Sequence, residues 1–181
     1  MALEGTYEPS PWAPVADQVR LYEESGGTEG TELEGRPCVI LWTRGRKSGT
    51  VRKTPLMRVK RDDRYAVVAS MGGAPQHPVW YLNLVDDPHV SLQDGPDLRD
   101  YTARVASAEE KAEWWPACTE VWPPYDDYQA ATDRSIWTNW RSSCAVRWRP
   151  TAASPPMAWA RSASTCARRM PTWRDFVAGN I

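Results

Sequence analysis

The chain has 181 residues, 22 Lys and Arg against 23 Asp and Glu, and a formal net charge of −1. That length suits one domain with a real core, and a charge so near zero argues against bulk attraction to nucleic acid or acidic lipid. No apolar run approaches the roughly 20 residues that span a bilayer, and MALEGTYEPS lacks the basic and apolar regions of a signal peptide.

The N-terminal PVADQVRLYEE places Val15, Val19 and Tyr22 at helical spacing and predicts a short amphipathic helix. GGTEGTELEG is a polar connector. RPCVILWT (36–43) reads as a buried strand, RGRKSGT as a hairpin turn, and VRKTPLMRVKR (51–61) as the return strand, with Pro55 marking an edge or a bulge. RYAVVASM (64–71) is a third strand rich in β-formers. GGAPQHPVWYLNLVDDP begins as a loop and becomes a helix from about Pro78, since proline suits a first helical turn. HVSLQD and LRDYTARVA form a hairpin about a GPD turn. Ser107 and Glu110 have capping-box spacing and start a further helix, which Pro116 is expected to kink or interrupt. PPYDDYQAATDR closes the regular part. The order describes a small mixed antiparallel barrel with helices at its edge.

The first hairpin turn concentrates positive charge: Arg44, Arg46 and Lys47, then Arg52 and Lys53. A turn needs Gly45 and Gly49, which permit positive φ, but it does not need that much charge. Its partner is either solvent or an anionic ligand, for which guanidinium forks and fixed backbone N–H groups are suited. It is not a P-loop, because Arg46 stands where a glycine should precede the lysine. Four cysteines, Cys38, Cys118, Cys144 and Cys166, show no paired spacing and point to free thiols in a reducing cytoplasm. The two histidines, His77 and His89, are too isolated for a zinc site.

The composition changes near residue 134. The chain up to Arg134 carries a net −7, whereas residues 135–181 carry a net +6 with no Lys, Tyr or Leu but with Trp137, Trp140, Trp148, Trp159 and Trp173. One reading is a natural basic tail that touches nucleic acid or another protein. The sharper one is a disordered or frameshift-derived segment, and we adopt it as the expectation, with no nucleic-acid partner.

The stretches LWTRGRKSGTVRKTPLMRV, VVASMGGAPQHPVWYLNLVDDPHVSLQ and EEKAEWWPACTEVWPPYDDYQAATDR, in that order, resemble the actinobacterial deazaflavin-dependent nitroreductase (quinone reductase) family. The resemblance runs over roughly residues 36–134, preceded by a helix and linker in 1–35. It implies an α+β fold, a mostly antiparallel split β-barrel of the flavin-reductase type with short flanking helices. It also implies the 8-hydroxy-5-deazaflavin coenzyme (coenzyme F-420), with FMN as the alternative because it too offers a flat ring and a phosphate. Arg46, Lys47 and Arg52 match the family's phosphate-binding positions, and Ser48 adds a hydroxyl donor. Pro55, Gly72, Gly73, Ala74 and Trp80 match positions around the ring, with Tyr81 beside them. Met71 departs from the pattern, since many relatives carry a lysine there, and weaker cofactor binding is expected. Ser70 matches a position near the reacting face, and Tyr125 and Tyr128 match tyrosines lining the acceptor pocket. Trp122 replaces a further tyrosine, which alters one donor.

The implied activity is hydride transfer from reduced deazaflavin to a quinone or nitro-type acceptor in the cytoplasm, with room for peripheral contact at the inner membrane face. Orientation and electrostatics are the protein's task, and no residue need act as a nucleophile. Two other classes remain: a cofactor-binding barrel without turnover, and an inactive protein. The latter follows because SIWTNWRSSCAVRWRP stands where the family places its final barrel strand. Losing that strand is expected to expose a sheet edge, with only Ile136 as a plausible start and CAVRWR as a weak substitute.

Overall fold

The computed structural model describes residues 2–142, the last six by their backbone alone. Cys144, Cys166, CAVRWR and the rest of the basic tail lie outside the described residues. Helix α1 (Ala13–Glu24) is followed by the short β1 (Glu32–Leu33), then β2 (Arg36–Arg44), β3 (Val51–Met57), β4 (Val59–Arg61) and β5 (Arg64–Val68). A 3-10 turn (Met71–Gly73) leads into α2 (Val79–Asp86), the hairpin β6 (His89–Asp94) and β7 (Asp97–Arg104), α3 (Ala108–Val121), α4 (Tyr125–Ala130) and β8 (Trp137–Ser142).

The strands follow the order β1-β2-β6-β7-β8-β5-β4, with β3 paired to β2, and every pairing between them is antiparallel. The predicted return strand 51–61 is broken at Arg58, whose N–H donates to Pro37 O (2.8 Å). That break turns the sheet into a barrel: β3 and β4 belong to opposite ends of the strand order, and one residue joins them. Because β3 pairs with β2 alone among the strands, Pro55, opposite Ile40, lies on an edge as expected. The N-terminal segment covers the start of that edge, with Glu8 N–H donating to Val51 O (3.0 Å) and Val51 N–H to Thr6 O (2.8 Å).

The core explains the continuous apolar run in β2. Val39 and Leu41 face the barrel interior with Leu92, Tyr65 and Tyr101. Cys38 and Ile40 face Val19 and Tyr22 of α1. A strand covered on both faces reads as an uninterrupted apolar stretch. A third cluster joins Met57, Ala66 and Val68 to Trp114, Cys118 and Tyr125 of the C-terminal helices. Burial in these clusters pushes the Cys38 and Cys118 thiols up to about 12.

Three expectations need correction. The final barrel strand is present: β8 pairs with β5 (Val68↔Trp137 to Tyr65↔Trp140) and with β7 (Arg104↔Asn139 to Tyr101↔Ser142). Its residues have no apolar signature, but backbone ladders on both sides hold a strand whatever its side chains, so the expected open edge between β5 and β7 is closed. Helix α3 runs through Pro116 without interruption, because Trp114 and Cys118 on either side are fully buried and fix both halves. Its capping box forms as expected, Ser107 Oγ accepting from Glu110 N–H while Glu110 Oε2 accepts from Ser107 N–H. The third strand ends at Val68, three residues earlier than expected, because Ser70 and Met71 turn into the 3-10 segment.

Asp94, at the end of β6, accepts from Arg58 Nη1 (2.9 Å), Lys60 Nζ (3.2 Å) and Tyr65 Oη (2.8 Å) and so ties the β4–β5 edge to the opposite strands. Burial alone would raise this carboxyl, but the hydrogen bonds from Arg58, Tyr65 and Lys60 outweigh it and hold the group below the usual carboxylate range. A depressed carboxyl stabilises the fold above its unfolded pKa, about 3.9, and loses that contribution as pH falls through the lower folded value. Asp94→Asn is therefore expected to cost about 2 kcal/mol at neutral pH. The gap from wild type should close below about pH 4, as measured by denaturant unfolding across a pH series.

Candidate cofactor site

The cationic turn divides into spoken-for and available charges. Arg44 pairs with Asp87 (3.4 Å), Arg52 with Glu8 (2.6 Å) and Lys53 with Glu23 (2.6 Å). Lys53 also lies over the rings of Trp42 and Tyr7, which holds its ammonium in the fold. Arg46 and Lys47 project from the exposed tip, and among the described residues neither has an ion-pair partner. Ser48 is exposed, but its hydroxyl is engaged within the turn: it is 2.6 Å from Thr50 Oγ1, which donates to Glu8 Oε2 (2.8 Å). Gly49 has the expected positive φ of 70°, but Gly45 does not. Gly45 serves another need, since a Cβ there would meet Ser48 Oγ at 2.6 Å and turn that hydroxyl away from Thr50.

A cleft of about 310 Å3 opens beside this hairpin. Its walls include Trp12 and Val15 of the N-terminal segment, Arg52 and Pro55 of β3, and Val79 and Trp80 of α2, with Ser70 and Met71 on its floor. Asn83 connects the cleft to the turn. It is fully buried, donates from Nδ2 to Thr43 Oγ1 (3.2 Å) and accepts from Arg46 N–H through Oδ1 (3.2 Å). The chemistry therefore runs from an apolar slot to a turn carrying two unpaired cations.

The Ser70–Ala74 loop is tightly built. Met71, Gly72 and Gly73 all have positive φ (47°, 63° and 82°), and for Met71 this is a strained conformation. The N–H of Gly73 donates to Ser70 O (2.9 Å) and that of Ala74 to Met71 O (3.1 Å), so both are used inside the turn. Gly73 is needed against α4, where a Cβ would meet Tyr128 O and Ala131 Cβ at 3.0 Å. Its lack of a side chain serves helix packing first. Tyr81 stacks on His77 (4.1 Å, 10°) and is not among the cleft's walls.

A smaller cavity of about 30 Å3 shares Pro55, Leu56, Val68 and Ser70 with the cleft and is closed by Trp122 and Tyr125. Tyr125 is buried, and its hydroxyl donates to Met57 Sδ (3.6 Å). Burial, with smaller contributions from Cys118 and Tyr128, pushes its phenol well above the usual range. Tyr128 meets the Tyr125 ring edge-on (6.3 Å) and is half-buried, but lines neither cavity. Trp122 keeps a donor at the altered position: its Nε1–H is buried and has no acceptor among the described residues.

Of the residues expected around a cofactor, the structure thus brings Arg52, Pro55, Ser70 and Trp80 to one cleft and Arg46 to its end. Lys47 and Ser48 follow in the turn, and Gly72, Gly73 and Ala74 in the loop behind Met71. Trp12, Val15 and Asn83 were not anticipated. Asn83 had a signal, being a polar residue three positions after Trp80 on the same helical face; the two N-terminal residues had none beyond their amphipathic helix.

The family model described as F420H(2)-dependent quinone reductase matches residues 15–138. The chain belongs to this family. An F420H(2)-dependent quinone reductase of Mycobacterium tuberculosis is 33% identical over 120 residues, covering 64% of this chain and 80% of the relative. The solved structure of an F420-H2 dependent reductase (FDR-A) is 48% identical with a TM-score of 0.54, covering 58% of this chain and 93% of that one. Another solved structure, described as a domain-swapped dimer, is 45% identical with a TM-score of 0.56, covering 72% and 98%. The closed sheet is thus the split β-barrel of this quinone reductase family. Among the described residues, no helix is long and apolar enough to cross a membrane.

The residues present fit the family's deazaflavin coenzyme. The cleft is near the lower end of the roughly 300–1,000 Å3 usual for ligand pockets, enough for a flat ring but not for a long charged tail. The tail would lie outside, where Arg46 and Lys47 are exposed. Asn83→Ala frees the turn from α2 and leaves Thr43 without its partner. It is expected to weaken coenzyme binding about tenfold and to cost about 1–3 kcal/mol of stability, as read by fluorescence titration and thermal unfolding. Glu8→Gln removes the carboxylate from Arg52 and should strengthen binding severalfold in the same titration.

Proposed function

We propose that this chain is a deazaflavin-dependent oxidoreductase that reduces a quinone-type acceptor in the cytoplasm. The observation that carries the reading is the apolar slot joined at one end, through Asn83, to two cations that have no carboxylate partner among the described residues. When bound, the deazaflavin ring supplies the hydride. Arg46 and Lys47 would hold the tail's phosphate, as guanidinium fork and point charge. Arg52 would join them only on releasing Glu8, which makes it the weaker of the three matched positions. Trp80, Pro55 and Val79 would flank the ring and exclude water, and Gly72, of the glycine pair, would offer its N–H.

The acceptor would enter where the cleft meets the smaller cavity. Ser70 lines both, and Trp122 lines the smaller cavity and carries an Nε1–H with no acceptor among the described residues, so these two would supply donors for the oxygen that gains charge as hydride arrives. Tyr128 is the third candidate donor. Tyr125 serves the pocket by its shape, with its hydroxyl turned to Met57. Its burial also favours the second reading, a barrel that binds the coenzyme without turning over an acceptor.

Purified protein with reduced deazaflavin and menadione distinguishes these readings. We expect acceptor-dependent oxidation with deazaflavin and little with reduced FMN; binding without oxidation across several quinones selects the second reading. Arg46→Ala with Lys47→Ala should raise the coenzyme Kd by about a hundredfold, about 2.7 kcal/mol, and flatten its salt dependence. Trp122→Phe should lower quinone kcat/KM about tenfold with coenzyme affinity unchanged, as measured in the same assay.

A further inference from the structure

Arg134 makes a contact set that the proposed chemistry does not use. Its guanidinium donates from Nη1 to Ala69 O (2.6 Å), from Nη2 to Ser70 O (2.6 Å) and from Nε to Ala74 O (2.8 Å). Three faces of one rigid, planar group thus hold both stems of the turn that begins at Ser70 and ends at Ala74. Between those stems lies the run of three positive φ angles, including the strained Met71. Such a conformation persists only when its surroundings over-determine it, and internal hydrogen bonds from Gly73 and Ala74 do not fix where the loop points. Ser70 and Met71 are also the floor of the cleft.

The cation is not there to answer a carboxylate. Among the described residues no Asp or Glu lies in ion-pair range of Arg134, and the three acceptors of its guanidinium are carbonyl dipoles. Its charge is felt nearby, since burial and, less, the Arg134 charge push His77 below its ordinary range. A lysine could carry that charge but could not span three carbonyls in fixed directions.

Resting on the deazaflavin reading above, we propose that Arg134 is the positioning residue for the ring: by clamping Ala69, Ser70 and Ala74 it holds the loop in the one shape that receives the flat end of the coenzyme. It acts through the loop, not by touching the ligand. Arg134 therefore governs ring affinity, whereas Arg46 and Lys47 govern tail affinity, and the two effects are separable.

The test compares Arg134→Gln, Arg134→Lys and the Arg46→Ala/Lys47→Ala double variant. Two probes are titrated by fluorescence: the complete coenzyme, and the deazaflavin ring with its polyol chain but no phosphate. Both Arg134 variants should weaken each probe tenfold or more, and lysine should not rescue. The double variant should weaken the complete coenzyme alone. Millimolar guanidinium should restore ring binding to an Arg134→Gly protein. Folded Arg134 variants, shown by a cooperative thermal transition, that bind the phosphate-free ring as wild type does would overturn the proposal. Should the variants not fold, amide exchange in the wild type decides: the ring must slow exchange at Met71–Ala74, and no protection there overturns it. Wild-type protein that binds no deazaflavin removes the proposed function and this inference together; wild-type binding with unchanged variant binding removes this inference alone.

Discussion

The segment from Arg134 to Ser142 carries two obligations at once. Strand β8 fills the gap between β5 and β7 and closes the barrel. Just before it, Ile136 is fully buried and its carbonyl accepts from Ala69 N–H, while Arg134 ties down the loop that continues from Ala69. Closure and site formation therefore share one stretch of backbone. A barrel that lost this pairing would not merely expose an edge; it would release the floor of the cleft. In the function proposed above, stability and binding would be coupled by connectivity, with no need for a distant relay.

A second constraint is how the chain handles a dense cluster of like charges. Five cations near one turn repel one another, and the fold separates them by giving three a carboxylate from a different element: Asp87 beyond α2, Glu8 before α1 and Glu23 within α1. The Arg44 and Arg52 pairs are partly exposed and contribute modestly to stability, while Lys53 is largely buried against Glu23, and the pairs of Arg52 and Lys53 dock the N-terminal segment on the hairpin. That docking brings Trp12 and Val15 to the cleft wall. The cations left over are the two at the exposed tip, beside the Asn83 end of the cleft. In the function proposed above, the charge that a ligand uses would stay in water while the ring entered the more apolar cleft.

Much of this was legible from residues. Val15, Val19 and Tyr22 announced a buried helical face, the continuous CVIL run announced a strand covered on both sides, and Ser107 with Glu110 announced a helix start; each rests on local periodicity or local hydrogen bonding. What escaped depends on partners distant in sequence. WTNWRS has no strand pattern because backbone ladders on two sides, not side-chain alternation, hold β8. Pro116 is tolerated because Trp114 and Cys118 anchor the helix on both sides of it. The glycine readings divide: Gly49 has the positive φ expected of it, whereas Gly45 does not and instead leaves room for Ser48, and Gly73 leaves room for Tyr128 and Ala131. A lone arginine before a strand gives no hint that it will reach three carbonyls some 60 residues away in the chain.

The same distinction explains why the aromatic residues divide as they do. Spacing three apart puts Tyr125 and Tyr128 on one face of α4, but a shared face does not mean a shared role. Tyr125 lies deep enough that its hydroxyl needs a partner inside the protein, and the thioether of Met57 is the acceptor within reach. Trp122, outside the helix, has a buried Nε1–H with no acceptor among the described residues. A buried N–H left unpaired costs free energy, and in the function proposed above that cost would be recovered if the indole met an acceptor oxygen. The substitution that looked like the loss of a phenol would then leave a donor in its place. A quinone carbonyl would fit that requirement better than a hydrocarbon of the same shape.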